Sequence, residues 1–100
     1  MEGITMKELY ESLYHCHEAE FTYRGTTYVL QPEVDKSNKE KAYLVIWELS
    51  PGQEKCISKF PIPLKGDIPK ERIDAIMNDR CFNGKSFMEI EKDVTMDVIY

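Results

Sequence analysis

Eight consecutive residues, Ala42 to Leu49 (AYLVIWEL), hold a single charge, with valine, isoleucine and tryptophan at their centre. A strand half exposed to water alternates apolar and polar side chains, whereas a run that is apolar at both parities must be covered on both faces or left adhesive. The run predicts a strand in the middle of a sheet, buried over most of both faces. Glu48 sets its expected orientation. With Glu48 toward solvent, Ala42, Leu44 and Ile46 point the same way, and Tyr43, Val45, Trp47 and Leu49 join the helix-covered core.

Upstream, Thr5 and Glu8 stand three apart ahead of an apolar period, the capping-box pattern that satisfies free N–H groups at a helix start. Met6, Leu9, Tyr10, Leu13, Tyr14 and His17 follow at intervals of three and four and form one stripe for docking on the sheet. From Ala19 to Leu30 the period becomes two. Gly25 can take the positive φ of a two-residue hairpin loop. If Arg24 and Gly25 are that loop, Phe21 pairs with Tyr28 and Ala19 with Leu30. Ala19, Phe21, Tyr23, Tyr28 and Leu30 then share one face, while Glu20, Thr22, Thr27 and Val29 take the other.

The sets Leu9-Tyr10, Glu20-Phe21-x-Tyr23-x-Gly25-x-x-Tyr28 and Gly84-Lys85-Ser86-x-x-Glu89-Ile90 span most of the chain. In them the chain resembles a group of small uncharacterised proteins of Gram-positive bacteria and their prophages. Arg24 stands where that group often has Asn. The resemblance implies a fold and a bacterial cytoplasm, and adds no activity and no site.

Gln31 to Lys41 is polar and contains Pro32, which predicts a long hairpin loop before the central strand. Ser50-Pro51-Gly52-Gln53 is a turn, and Lys55 to Phe60 returns as a short edge strand whose lysines discourage further pairing. Pro61, Pro63 and Pro69 keep FPIPLKGDIP extended and turning, suited to covering a sheet face. Beyond Pro69, Ile73, Ile76, Met77 and Cys81 form a second amphipathic stripe, which ends before Asn83-Gly84. Ser86 and Glu89 cap a short third helix with Phe87 and Ile90 inward. Val94, Met96, Val98 and Tyr100 alternate with Thr95 and Asp97, as in a strand closing the sheet, with a frayed terminus the alternative.

One hundred residues without repeat, low-complexity tract or composition break make a single domain, 1–100. The fold class expected is α+β: an antiparallel meander of three or four strands with one N-terminal helix, two C-terminal helices and a C-terminal strand. The net charge of −5 repels phosphate backbones, and the lysines of DKSNKEK alternate with Asp35 and Glu40, which argues against nucleic acid. Residues 1–50 carry nine acidic and five basic side chains, favouring a basic protein partner. Three cysteines without a CxxC pair suit a reducing compartment. Neither a basic leader with an apolar core nor eighteen consecutive apolar residues occurs, so cytoplasmic placement and no membrane are expected.

No cofactor, metal or catalytic motif stands out. In His15-Cys16-His17-Glu18, adjacent helical positions diverge by about 100°, so these side chains cannot meet one ion on a helix. Cys56 and Cys81 read as small buried hydrophobes. Asn83-Gly84-Lys85-Ser86 matches only the tail of a phosphate-binding loop and reads better as a helix end and a cap.

A surface is left. On the orientation argued from Glu48, Val29, Leu44 and Ile46 form a patch away from the first helix, with Thr22 and Thr27 at its rim, for a protein partner or a homodimer. The main expectation is a non-catalytic interaction or self-association module. A small-molecule sensor would instead hold its ligand between helix and sheet among Tyr10, Tyr14, Tyr28 and Trp47. A metal- or thiol-dependent enzyme would need His15, Cys16 or His17 to converge with Cys56 or Cys81.

Overall fold

The computed structural model describes residues 1–100. Helix α1 (Met6–Tyr14) starts as its capping box dictates: the Thr5 hydroxyl accepts the Glu8 backbone N–H at 3.1 Å, and the Glu8 carboxylate accepts the Thr5 N–H at 3.1 Å. Leu9 and Leu13 are buried, while Tyr14 and His17, at the end of the expected stripe, are exposed. Strands β1 (Ala19–Tyr23) and β2 (Thr26–Val34) pair in the expected register, Phe21 opposite Tyr28 and Ala19 opposite Leu30. Arg24 and Gly25 have φ of +49° and +76°, the two successive left-handed residues of a type I′ loop.

The polar stretch after Leu30 is not all loop. Strand β2 continues through Pro32 to Val34, and Asp35 to Lys41 alone connect it to β3 (Ala42–Ser50). β1 begins at Ala19, opposite Leu30, so β2 beyond Leu30 has a free edge on that side, the setting in which a ladder tolerates proline. Strand β4 (Gln53–Ile62) is ten residues long rather than short, because it stays paired with β3 as far as Ala42 opposite Ile62. β5 (Val94–Ile99) completes a five-stranded antiparallel sheet of order β4-β3-β2-β1-β5.

The two sheet edges differ. Alongside β5, the Glu2 N–H donates to the Val94 carbonyl at 3.0 Å and the Met96 N–H to the Glu2 carbonyl at 2.8 Å. Gly3 lies so close that a Cβ there would stand 2.6 Å from the Met96 oxygen. The β4 edge is bare, guarded by Lys55, Lys59, Pro61 and a bulge opposite Ile46 and Trp47.

Helices α2 (Lys70–Met77) and α3 (Phe87–Ile90), the latter followed by a 3-10 turn (Glu91–Asp93), join α1 on one face of the sheet. Ile73, Ile76 and Met77 of α2, and Phe87 and Ile90 of α3, meet Phe21, Leu30, Leu44 and Ile46 from the strands. The segment after β4 turns to this same face: Ile68 is buried in the core, and its N–H donates to the Tyr14 carbonyl at 3.0 Å. No helix is long and apolar enough to cross a membrane.

The orientation of β3 is the reverse of the one inferred from Glu48. Leu44 and Ile46 are 0% exposed beneath the helices, and Tyr43, Val45, Trp47 and Leu49 point to the other face. Glu48 does share parity with Leu44 and Ile46. It sits one same-face step past Ile46, between Tyr28 and Lys55, and is half-exposed there. A charge near a strand end needs water only at that end, and so says little about the face as a whole. The apolar run of β3 is therefore covered on one side and left open on the other.

Candidate functional site

The open face is built by the pairing of β2, β3 and β4. Trp47 lies between Val29 and Cys56, Val45 between Gln31 and Lys59, Tyr43 between Glu33 and Pro61, and Leu49 between Thr27 and Glu54. Period-two alternation sends each row to the same side. Together with Val34, Asp35 and Lys36, these side chains other than Thr27 and Pro61 border a groove of about 840 Å³.

Polar contacts hold its shape. The Trp47 Nε1–H donates to Glu33 Oε2, which also accepts the Gln31 Nε2–H at 2.6 Å. Glu33 is paired with Tyr43, two same-face positions away from Trp47, so the indole leans along β3 across Val45. Val45 is only 2% exposed as a result, although no helix covers this face. Lys59 Nζ lies 4.2 Å from the centre of the Tyr43 ring, a cation–π contact at the groove's edge. Farther across the sheet the Thr22 hydroxyl donates to Asp97 at 2.7 Å, and the Tyr100 hydroxyl to Glu20 at 3.2 Å. Glu20, Glu33, Asp35, Glu54 and Asp97 thus set five carboxylates around this face, against the ammonium groups of Lys36 and Lys59.

The residues singled out from sequence fall in three places. Val29, Thr22 and Thr27 lie on the open face, but Leu44 and Ile46 are sealed in the core and unavailable to any partner. The four aromatic residues proposed for a ligand pocket do not come together. Tyr10 bridges α1 and α2, Tyr14 is exposed, Tyr28 packs against Phe21 and Phe82 at 5.3 and 5.1 Å, and Trp47 is on the opposite side of the sheet. The space between helices and sheet is filled instead by that aromatic cluster, in which Phe87 meets Phe21 edge-on at 5.2 Å.

The His15-Cys16-His17 segment forms the turn after α1, with Cys16 at φ +64°. His15 Nδ1 is 3.7 Å from Asp67 Oδ1, the Cys16 thiol donates to the Gly66 carbonyl at 3.5 Å, and the two imidazole centres are 6.4 Å apart. No three His, Cys, Asp or Glu side chains converge in metal-binding geometry. Cys56 is not buried but exposed at the groove, because β4 is an edge strand and the bulge presents this residue to the open face. Cys81 is half-buried; burial and the nearby Asp79 carboxylate push its thiol up to about 11, away from nucleophile character.

Glu33, Gln31, Tyr43, Val45, Leu49 and Lys59 were not anticipated as surface residues of a site. The signal for them was the cross-strand register. Once Val29 is placed opposite the hairpin's core face, its pairing with Trp47 carries the odd-numbered residues of β3 to the same side. No family model, curated protein or solved structure matches the chain. The geometry itself defines an α+β sheet domain with one helix-covered face and one open, aromatic-lined face.

Proposed function

We propose that this chain is a non-catalytic protein-interaction module of a bacterial cell or prophage, and that its open sheet face docks a basic partner protein. The bacterial setting rests on the motif resemblance alone. The observation that carries the reading is the half-exposed row Tyr43, Trp47 and Leu49, flanked by Val29 and underlain by the buried Val45, on a face that no helix of the fold covers. A contiguous apolar patch with a polar rim gains free energy by leaving water, and such patches mark interaction surfaces. Strands about 4.8 Å apart with about 3.3 Å per residue make the whole five-stranded face roughly 600 Å², the patch on β2, β3 and β4 being about half of it, against the ~800 Å² per partner of an ordinary stable interface. Five carboxylates at the rim would meet their like on a second copy and their complement on a basic partner.

The test is photo-crosslinking in native lysate, with a benzophenone amino acid placed at Val29 on the open face or at Glu71 on α2. One basic protein should crosslink from position 29 and not from position 71. Excess unlabelled wild-type chain should compete it away, and excess Leu49→Asp chain, altered at a half-exposed position of the groove, should not. Equal labelling from both positions, or crosslinking only to another copy of the same chain, would overturn the reading.

A further inference from the structure

We infer that the groove on the open face is a receptor for an arginine side chain of the partner, stacked on the Trp47 ring and paired with the Glu33 carboxylate; this rests on the docking role proposed above. Glu33 is held in place by two donors, the Trp47 indole N–H and the Gln31 amide, which converge on its Oε2. Its Oε1 carries no hydrogen bond from this chain and is left to an incoming donor. The same contact with Glu33 fixes the Trp47 ring, so the aromatic face and the carboxylate are positioned together. Preorganisation of this kind lowers the ordering cost of binding.

One cation of the chain already lies on an aromatic ring of the groove. Lys59 Nζ lies over the Tyr43 ring, whereas no cation of this chain lies over Trp47. Indole is the stronger cation–π acceptor of the two rings, and it is the vacant one. Arginine fits that vacancy better than lysine. Its planar guanidinium stacks on an aromatic face, is less tightly hydrated than an ammonium, and keeps its N–H donors in its own plane, directed outward to a carboxylate. Val29 and Leu49, half-exposed beside the indole, supply apolar contact for the methylene stem. Lys59 is the groove's own competitor, since its charge repels a second cation brought alongside.

Trp47 is the chain's single tryptophan, so its fluorescence and its indole N–H resonance report on this groove alone. The probes are a synthetic peptide alternating Arg with Val and Thr, and the same peptide with citrulline, a neutral isostere, at every Arg. The arginine peptide should shift both signals saturably, and the citrulline peptide should bind about tenfold more weakly or less. Glu33→Gln retains an acceptor for the indole N–H but removes the charge, and should abolish most of that difference. Lys59→Met should tighten the arginine peptide by roughly threefold, a gain that a merely structural role for Lys59 would not produce. Equal binding of the two peptides, no effect of Glu33→Gln, or no Trp47 response to either peptide would each overturn the inference. If the crosslinking at Val29 still succeeds in those cases, the docking reading stands without it. An arginine-selective groove with no partner crosslinked at Val29 would instead remove the docking reading and keep the binding site.

Discussion

The Tyr10 hydroxyl on α1 donates a 2.7 Å hydrogen bond to Asp74 Oδ1 on α2, while Lys70 Nζ holds Asp74 Oδ2 at 2.8 Å. Two helices that share one side of the sheet are thus tied at their outer surfaces as well as through the core. Burial raises the Tyr10 phenol well above its ordinary range, and the Asp74 carboxylate raises it further. Lys70 first, and then Tyr10, hold the Asp74 carboxyl below its own.

Opposite signs follow for the two limbs of the pH–stability curve. A group whose folded pKa is raised contributes fully below its unfolded value, so the Tyr10 contribution is present below about pH 10 and is lost as pH rises beyond it. A depressed carboxyl contributes above its unfolded value, so the Asp74 contribution is lost as pH falls below about 3.8. Thermal unfolding across pH 3 to 11 should show Tyr10→Phe less stable at neutral pH, with a flatter alkaline limb than wild type. Asp74→Asn should flatten the acid limb. An unchanged alkaline slope in Tyr10→Phe would show that the contact is not maintained in solution.

Leu44 and Leu49 lie on the same strand at opposite parity, which makes them a direct test of which face is the core. Leu44→Ala should cost about 2–5 kcal/mol, since it opens a cavity under α2 that the packed helices cannot close. Leu49→Ala should cost less than about 1 kcal/mol, because the side chain is half-exposed at the groove. Urea denaturation of the two variants measures both values. The reverse order would restore the orientation inferred from Glu48.

The three free cysteines should separate by reactivity. Cys16 and Cys56 are exposed, whereas Cys81 is half-buried with its thiol pushed up to about 11. Iodoacetamide at pH 8, followed by peptide mapping, should modify Cys16 and Cys56 together and Cys81 at least about tenfold more slowly, because the thiolate is the reacting form. Raising the pH toward 10 should narrow the gap. A bulky maleimide on Cys56 should also weaken the arginine peptide, since that sulfur borders the groove.

Local signals were legible and long-range ones were not. Both capping boxes and the β1–β2 register could be read because each depends on residues within about ten positions of one another. The face of β3 was misread because Glu48, a residue near the strand end, was made to stand for the whole strand. The decisive relation, Val29 opposite Trp47, depends on how far β2 runs past Pro32. Phe82 was also missed. It sits in a turn where its N–H and carbonyl pair with Lys85 at 2.9 and 3.1 Å, so no periodicity marks it, yet it touches Phe21, Tyr23, Tyr28 and Phe87. The groove itself was hidden for the same reason, as Glu33 and Gln31 were assigned to a loop.

The β1–β2 turn sets two opposing effects on one residue. Arg24 holds φ +49°, a left-handed conformation that costs a side chain of its kind on the order of 1–3 kcal/mol and that asparagine adopts more readily. In return its guanidinium lies 5.4 Å from the centre of the Tyr23 ring, a solvent-exposed cation–π contact of about 0.5–1 kcal/mol. The backbone effect is the larger, so Arg24→Asn should stabilise the fold by roughly 0.5 kcal/mol. Arg24→Val should destabilise it by more than about 1 kcal/mol, because a β-branched residue is excluded from this region and the ring contact is lost as well. Urea denaturation of the two variants beside wild type gives the order directly. If Arg24→Asn proved the less stable protein, the contact with Tyr23 would outweigh the strain, and arginine would be the residue this hairpin requires.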